Sequence, residues 1–222
     1  MKFLPGKRTI MVFLAVAAVM MLPLAAQADV TYGFERITNN GSPDTAGQYF
    51  VDVSDPSGLN NVLFTFRNVG PIASFIDGVY FMDGTLLGIS SIINGIGVAF
   101  SNPADPASLP SQNTATPPFV THVGFSADND PGAGNGVNPG EQVGIQFDLI
   151  SGQEYANTLA ALIDGTLRIG IHVQGISTAG FSDSFVNTPG GGTPPIPVPP
   201  TVWLMGSGLV GLGLMAWRRR KQ

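Results

Sequence analysis

LRIGIHV, residues 167–173, alternates one residue at a time: Leu167, Ile169, Ile171 and Val173 share one side, and Arg168, Gly170 and His172 share the other. A period of two is the pleat of a strand, whereas a helix returns to one face only every 3.6 residues or so. The same alternation recurs outward from this stretch. Phe64 and Phe66 share a side of LFTFRN, and Ile145, Phe147 and Leu149 share a side of GIQFDL. Short runs rich in Val, Ile, Phe and Tyr, separated by Gly, Pro, Asn and Asp, predict strands over 30–37, 48–53, 61–69, 75–82, 86–92, 96–101, 122–127, 143–149 and 167–175. One helix is predicted over 154–164, EYANTLAALID, with Gly165 as its stop. Many short strands with regular turn signals point to an all-β fold, an antiparallel β-sandwich of jelly-roll type with one short helix. On this pattern His172 falls on a solvated face. Arg67 and Arg168 are expected to pair with acids rather than clamp a ligand. Tyr32, Tyr49 and Tyr80 suit a core better than an exposed surface on which sugars stack.

Charge is distributed unevenly. Seven of the ten cations lie at the ends of the chain, as Lys2, Lys7, Arg8, Arg218, Arg219, Arg220 and Lys221. The middle keeps Arg36, Arg67 and Arg168, yet holds all 15 Asp and Glu. So acidic a domain has no basic patch for phosphates, which excludes nucleic acid as a partner. With 0 Cys the chain has no thiolate nucleophile and no thiolate metal site.

Both ends read as addresses. Residues 1–28 form a signal peptide: Lys2, Lys7 and Arg8 precede an apolar run over 10–26, and Ala26, Gln27 and Ala28 supply a cleavage site, so that the mature chain begins at Asp29. At the other end, after an acidic β-domain over 29–187, comes a Gly/Pro-rich linker over 188–200, TPGGGTPPIPVPP. An uninterrupted apolar helix follows over 201–217, TVWLMGSGLVGLGLMAW, and then a basic tail over 218–222. Seventeen residues at about 1.5 Å each reach about 26 Å, close to the thickness of a hydrocarbon core. Trp203 and Trp217 mark its two interfaces, and the cations behind it hold the C-terminus in the cytoplasm.

A Pro-rich spacer, a short Gly-rich helix and an RRRK end, in that order, resemble the PEP-CTERM sorting signal of Gram-negative bacteria, a tail also called the ice-binding protein C-terminal domain. The family's Pro-Glu-Pro stands here as Val198-Pro199-Pro200, without the Glu. The resemblance implies export, a transient anchor in the inner membrane, and cleavage by an exosortase-type membrane protease. Val198, Pro199, Pro200, Arg218, Arg219 and Arg220 would carry the signal. It also implies passage to the cell surface or the extracellular matrix and its exopolysaccharide. The stretches VYFMDGTLL, NPGEQVGIQFDL and LRIGIHVQGI resemble uncharacterised domains found ahead of such tails, which bring no activity with them.

Candidate chemistry is sparse. Two His, His122 and His172, lie about 50 residues apart in predicted strands, without metal-ligand spacing. Ser126, His122 and Asp128 do not form a nucleophile elbow, because GFSAD lacks its second Gly. The loop DNDPGAGNGVNPGE, residues 128–141, gathers hard oxygen donors in Asp128, Asp130, Asn135, Asn138 and Glu141. Calcium suits such donors, although the EF-hand spacing is not met; the plainer alternative is a turn-rich connection. The sequence therefore leads to a non-enzymatic exported protein, structural or adhesive, in contact with exopolysaccharide. A secreted hydrolase acting on polysaccharide through an Asp/Glu pair is the alternative.

Overall fold

In the computed structural model of the chain, residues 29–56, 60–83, 87–128 and 133–193 are described. Ten strands form: β1 (Val30–Arg36), β2 (Tyr49–Ser54), β3 (Asn61–Asn68), β4 (Phe75–Met82), β5 (Leu87–Asn94), β6 (Phe100–Ser101), β7 (Val123–Ala127), β8 (Gln142–Leu149), β9 (Arg168–Ile176) and β10 (Phe181–Asn187). Among the described residues one α-helix forms, α1 (Tyr155–Asp164), and it joins β8 to β9. The strands make a single antiparallel sheet in the order β5-β8-β3-β2-β1-β10-β9-β4-β7-β6. The predicted all-β, antiparallel character with one short helix holds.

The sheet nearly closes on itself. Its two ends, β5 and β6, are consecutive in the chain, and Asn94 ties them: its Oδ1 accepts from the Phe100 amide at 2.8 Å and its Nδ2 donates to the Phe100 carbonyl at 3.3 Å. Strand β1 serves both halves, pairing with β2 through Val30–Gly33 and with β10 through Phe34–Arg36. Inside, the alternating apolar residues of the two halves meet. Phe81 on β4 stacks edge-on against Phe64 of β3 and Phe147 of β8, each at 5.0 Å between centroids. Phe66 and Phe125 complete this ring cluster. Offset and edge-on pairs of this kind add about 0.5–1.5 kcal/mol each beyond area burial.

Helix α1 docks on the sheet through Tyr155, whose hydroxyl donates to the Val53 carbonyl at 2.7 Å. It stops where predicted: Gly165 takes a left-handed φ of 80° and returns its amide to Ala161. No helix among the described residues is long and apolar enough to cross a membrane. Residues 1–28, 201–217 and 218–222, which carry the expected signal peptide, membrane helix and basic tail, lie outside the described residues.

Three sequence expectations fail, each for a physical reason. The strand expected over 96–101 shrinks to Phe100–Ser101, because Gly95, Ile96 and Gly97 form a turn in which Val98 N–H bonds back to Gly95. Strand β10 is not among the strands the sequence predicts; the Asp183 carboxylate in its middle accepts from Thr38 and Ser42 of a neighbouring loop, and the Ser184 amide donates to Thr38. Finally, both faces of LRIGIHV are buried. The connection from β6 to β7, residues 102–122, folds back over the outer face of β4, β9 and β10. There it builds a second small core from Tyr80, Ala104, Leu109, Ala115, Phe119 and Val186. Gly170 is the landing place for Leu109, and Gly78 and Gly124 make room for the ring of Tyr80. Residues read as a polar face are thus small or special residues under a flap.

Candidate functional site

The densest chemistry-bearing cluster lies where β4 begins. The register between β4 and β9 slips by one residue, Ile76 facing Val173 and Gly78 facing His172, so Asp77 is the extra residue of a β-bulge. Bulges re-aim a side chain, and this one brings the Asp77 carboxylate under β9. Its Oδ2 lies 3.3 Å from His172 Nδ1 and accepts from Gln174 Nε2 at 2.7 Å. Asp77 is 1% exposed and His172 9%. The structure therefore corrects the solvated His172 expected from the sequence. Tyr80 lies nearby, its hydroxyl donating to the Pro106 carbonyl at 3.1 Å. Burial first, and then the negative charges of Asp77 and Asp105, push that phenol well above its usual range.

An imidazole held by a carboxylate is the orienting half of a general base, and the Ser126 and Ser184 hydroxyls on the neighbouring strands are buried within the fold. Ser126 Oγ accepts the Asp105 amide at 3.0 Å, and Ser184, opposite His172 on β10, is 1% exposed. The cluster crosslinks β4 to β9. The triad weighed from the sequence does not assemble. His122 Nδ1 lies 3.6 Å from Asp83, and Ser126 is four residues further along an extended chain, about 13 Å away.

Of the five calcium candidates, Asp130 lies outside the described residues. The others fall into two pairs. Asn135 Nδ2 donates to the Asp128 backbone carbonyl at 2.6 Å. Glu141 Oε2 accepts from both the amide and the side chain of Asn138, each at 2.9 Å. Asn138-Pro139-Gly140-Glu141 closes as a turn, Glu141 N–H to Asn138 carbonyl, with Gly140 at φ 89°. The loop is clamped to the sheet through Val137, which pairs with Ile76, and through Asn68, which reaches the Val137 carbonyl at 3.2 Å. Among the described residues, no three His, Asp or Glu side chains stand close enough to share a metal ion.

The three domain arginines have separate fates. Arg67 behaves as expected, forming a two-point pair with Asp52 (2.5 and 3.0 Å) and lying over the Phe50 ring; the hydrogen bond to Asp52 is the main cause of its raised pKa. Arg36 joins Asp183, a fully buried carboxylate that also accepts from the Thr38 and Ser42 hydroxyls and the Asn40 amide. Arg168 corrects the expectation. Among the described residues it pairs with no acid, but donates to the Pro117 carbonyl at 2.5 Å and lies over the Phe119 ring, with its Nε and Nη2 buried and without a partner there. Desolvation lowers its pKa.

Sequence reasoning missed Asp77, Gln174 and Asp183. Asp77 could have been found, since FIDGVYFM places one carboxylate inside a strand that is otherwise fit for burial on both faces. All four tyrosines are buried, so none of them is a sugar platform. The sorting-signal residues Val198, Pro199, Pro200, Arg218, Arg219 and Arg220 lie outside the described residues. Comparison with family models, with curated proteins and with solved structures gives no match.

Proposed function

We propose that the chain is an exported cell-surface or extracellular-matrix protein, structural or adhesive and non-enzymatic, delivered by a sorting tail of the PEP-CTERM type. The observation that carries this reading is the position of the two ends of the folded domain. Thr193, already in the linker, pairs with Thr31 at the start of β1: its amide donates to the Thr31 carbonyl at 2.9 Å. The exit from the signal peptide and the path to the tail therefore leave the domain side by side, which suits a body tethered at one end with the rest displayed outward. The buried carboxylates Asp77 and Asp183 hold neighbouring strands and loops together, which supports a structural role.

Within this proposal the domain is a sandwich of jelly-roll type, supported by the edge-on contact of Phe64 on β3 with Phe81 on β4, which joins the two halves of the sheet through the core. Its partners are an exosortase-type protease, the inner membrane as a transient anchor, and exopolysaccharide.

The test is the intact mass of the protein recovered from a host carrying it, with membrane and medium analysed separately. A species beginning at Asp29 and ending near Pro199, outside the inner membrane, is the expected result. A species still carrying Trp217 and confined to the membrane would make it a permanently anchored protein. Turnover of exopolysaccharide, abolished by a single Asp or Glu substitution, would replace the proposal with the hydrolase alternative.

A further inference from the structure

Among the described residues, strand β5 ends the sheet: it pairs with β8 on one side, and on the other meets β6 only at its last residue, through the Asn94 side chain. A strand in that position presents a row of backbone donors and acceptors, and proteins guard such edges with charge, proline or brevity. The other end of the sheet is guarded by brevity, since β6 has two residues. Strand β5 has eight, and from residue 84 to residue 102 the sequence contains neither a charged residue nor a proline. One irregularity, between Leu87 and Ser90, interrupts its register with β8, and from Ser90 to Asn94 the pairing is regular. Ser91 and Ile93 are exposed along this regular stretch, and Asn94 closes it through its bonds to Phe100 of β6. Ile93 is 49% exposed, and Ile96 at the tip of the following turn is 99% exposed, the highest value among the large apolar residues described.

We propose that this edge pairs antiparallel with the same strand of a second copy of the chain. Charge selects the occupant. The domain holds fifteen Asp and Glu against Arg36, Arg67 and Arg168, and each of these arginines is already engaged within the fold. Two copies repel wherever carboxylates meet, and the β5 edge is the long stretch that brings none together. A basic partner finds its complement elsewhere on the acidic surface. A neutral edge with exposed isoleucine is best matched by a neutral edge of the same kind, which is the self-complementarity a two-fold interface requires.

Geometry narrows the register. A two-fold axis normal to a sheet preserves its faces, so one residue must stand opposite its own copy, and the regular stretch places that residue within 90–94. The outer face of the joined sheet then continues across the boundary, where Ile93 and Leu63 each lie beside Gly144.

A chain with no cysteine offers a clean test. Ser91→Cys introduces a single thiol into the full chain, which is treated with a short bis-maleimide in its membrane and in detergent. The expected product is a covalent homodimer, absent from Ser151→Cys, whose thiol sits in an exposed turn after β8. Adding Ile93→Lys to Ser91→Cys should cut the yield by about tenfold, because each copy then brings a like charge to the neutral apolar boundary that the pair covers. Circular dichroism checks that this variant keeps its strands. The proposal is overturned if Ser91→Cys links no better than Ser151→Cys, if Ile93→Lys leaves the yield unchanged in a folded protein, or if the thiol captures a different protein.

Discussion

Leu109 rests on Gly170 so closely that a Cβ added to the glycine would lie 2.6 Å from the leucine Cδ2. This contact holds the 102–122 flap against β9, and only a residue without a side chain permits it. Gly170→Ala should therefore cost about 1–3 kcal/mol through overpacking. Leu109→Ala should relieve that strain, so the two substitutions together cost less than their sum. Urea denaturation followed by circular dichroism measures the cycle. Additive costs would mean that the flap does not bear on Gly170.

The Asp183 carboxylate is fully buried and gathers donors from Arg36, Thr38, Asn40 and Ser42. Removing it strands those donors, Arg36 above all. Asp183→Ala should destabilise by about 3–5 kcal/mol, with Asp183→Asn falling between it and the wild type. A loss under about 1 kcal/mol, the scale of an exposed ion pair, would show that the loop after β1 does not depend on it.

Arg168 presents the opposite case. Its guanidinium is buried with two nitrogens unpartnered, and replacing a poorly compensated buried charge by an apolar side chain of similar size often stabilises by about 1–4 kcal/mol. Arg168→Met should thus raise the denaturation midpoint. Arg67→Met, at a half-exposed pair, should lower stability by no more than about 1 kcal/mol. A destabilised Arg168→Met would show that its bond to Pro117 outweighs the desolvation.

All four tyrosines, Tyr32, Tyr49, Tyr80 and Tyr155, have pKa values raised by burial as the leading cause. Their folded values stand above an unfolded value of about 10. The stabilisation is complete below that pH and is lost as pH climbs toward the folded values, because the unfolded chain releases its phenolic protons first. Tyrosinate absorbance should therefore rise together with the loss of circular dichroism, in one cooperative step above about pH 10. A separate tyrosine titration that precedes unfolding would contradict the burial.

Glu141 should matter as a turn residue. Glu141→Ala removes two bonds to Asn138 and should cost about 1–3 kcal/mol. The same melting scans test the calcium expectation for residues 128–141. A rise in Tm with calcium and not with magnesium supports it, and equal Tm values in both ions remove it.

Much of this fold was legible because its inner faces alternate. Phe64, Phe66, Ile145 and Phe147 announced themselves by spacing, and the bounds of β4 agree with the stretch read from the sequence. The sites were less legible, since they depend on what covers the second face. Nothing local in LRIGIHV shows that residues 102–122 return to bury Arg168 and His172; Gly170 was the only sign, and a lone glycine in a strand has several meanings. Strand β10 was hidden for a related reason. Its Asp183 looks like a loop residue until Thr38 and Ser42, more than 140 positions earlier, are seen to supply its hydrogen bonds.

Thr31 and Thr193 are 162 residues apart in sequence and hydrogen-bonded in space. Continuity of the chain is thus not what brings β1 beside the linker; the sheet does that by itself. A few residues would join the two ends, and new ends could be opened in the exposed turn at Ser151 and Gly152, which leaves every strand intact. In such a circularly permuted chain the sheet would persist while its point of attachment moved to the loop between β8 and α1, separating what the fold needs from where the molecule is held.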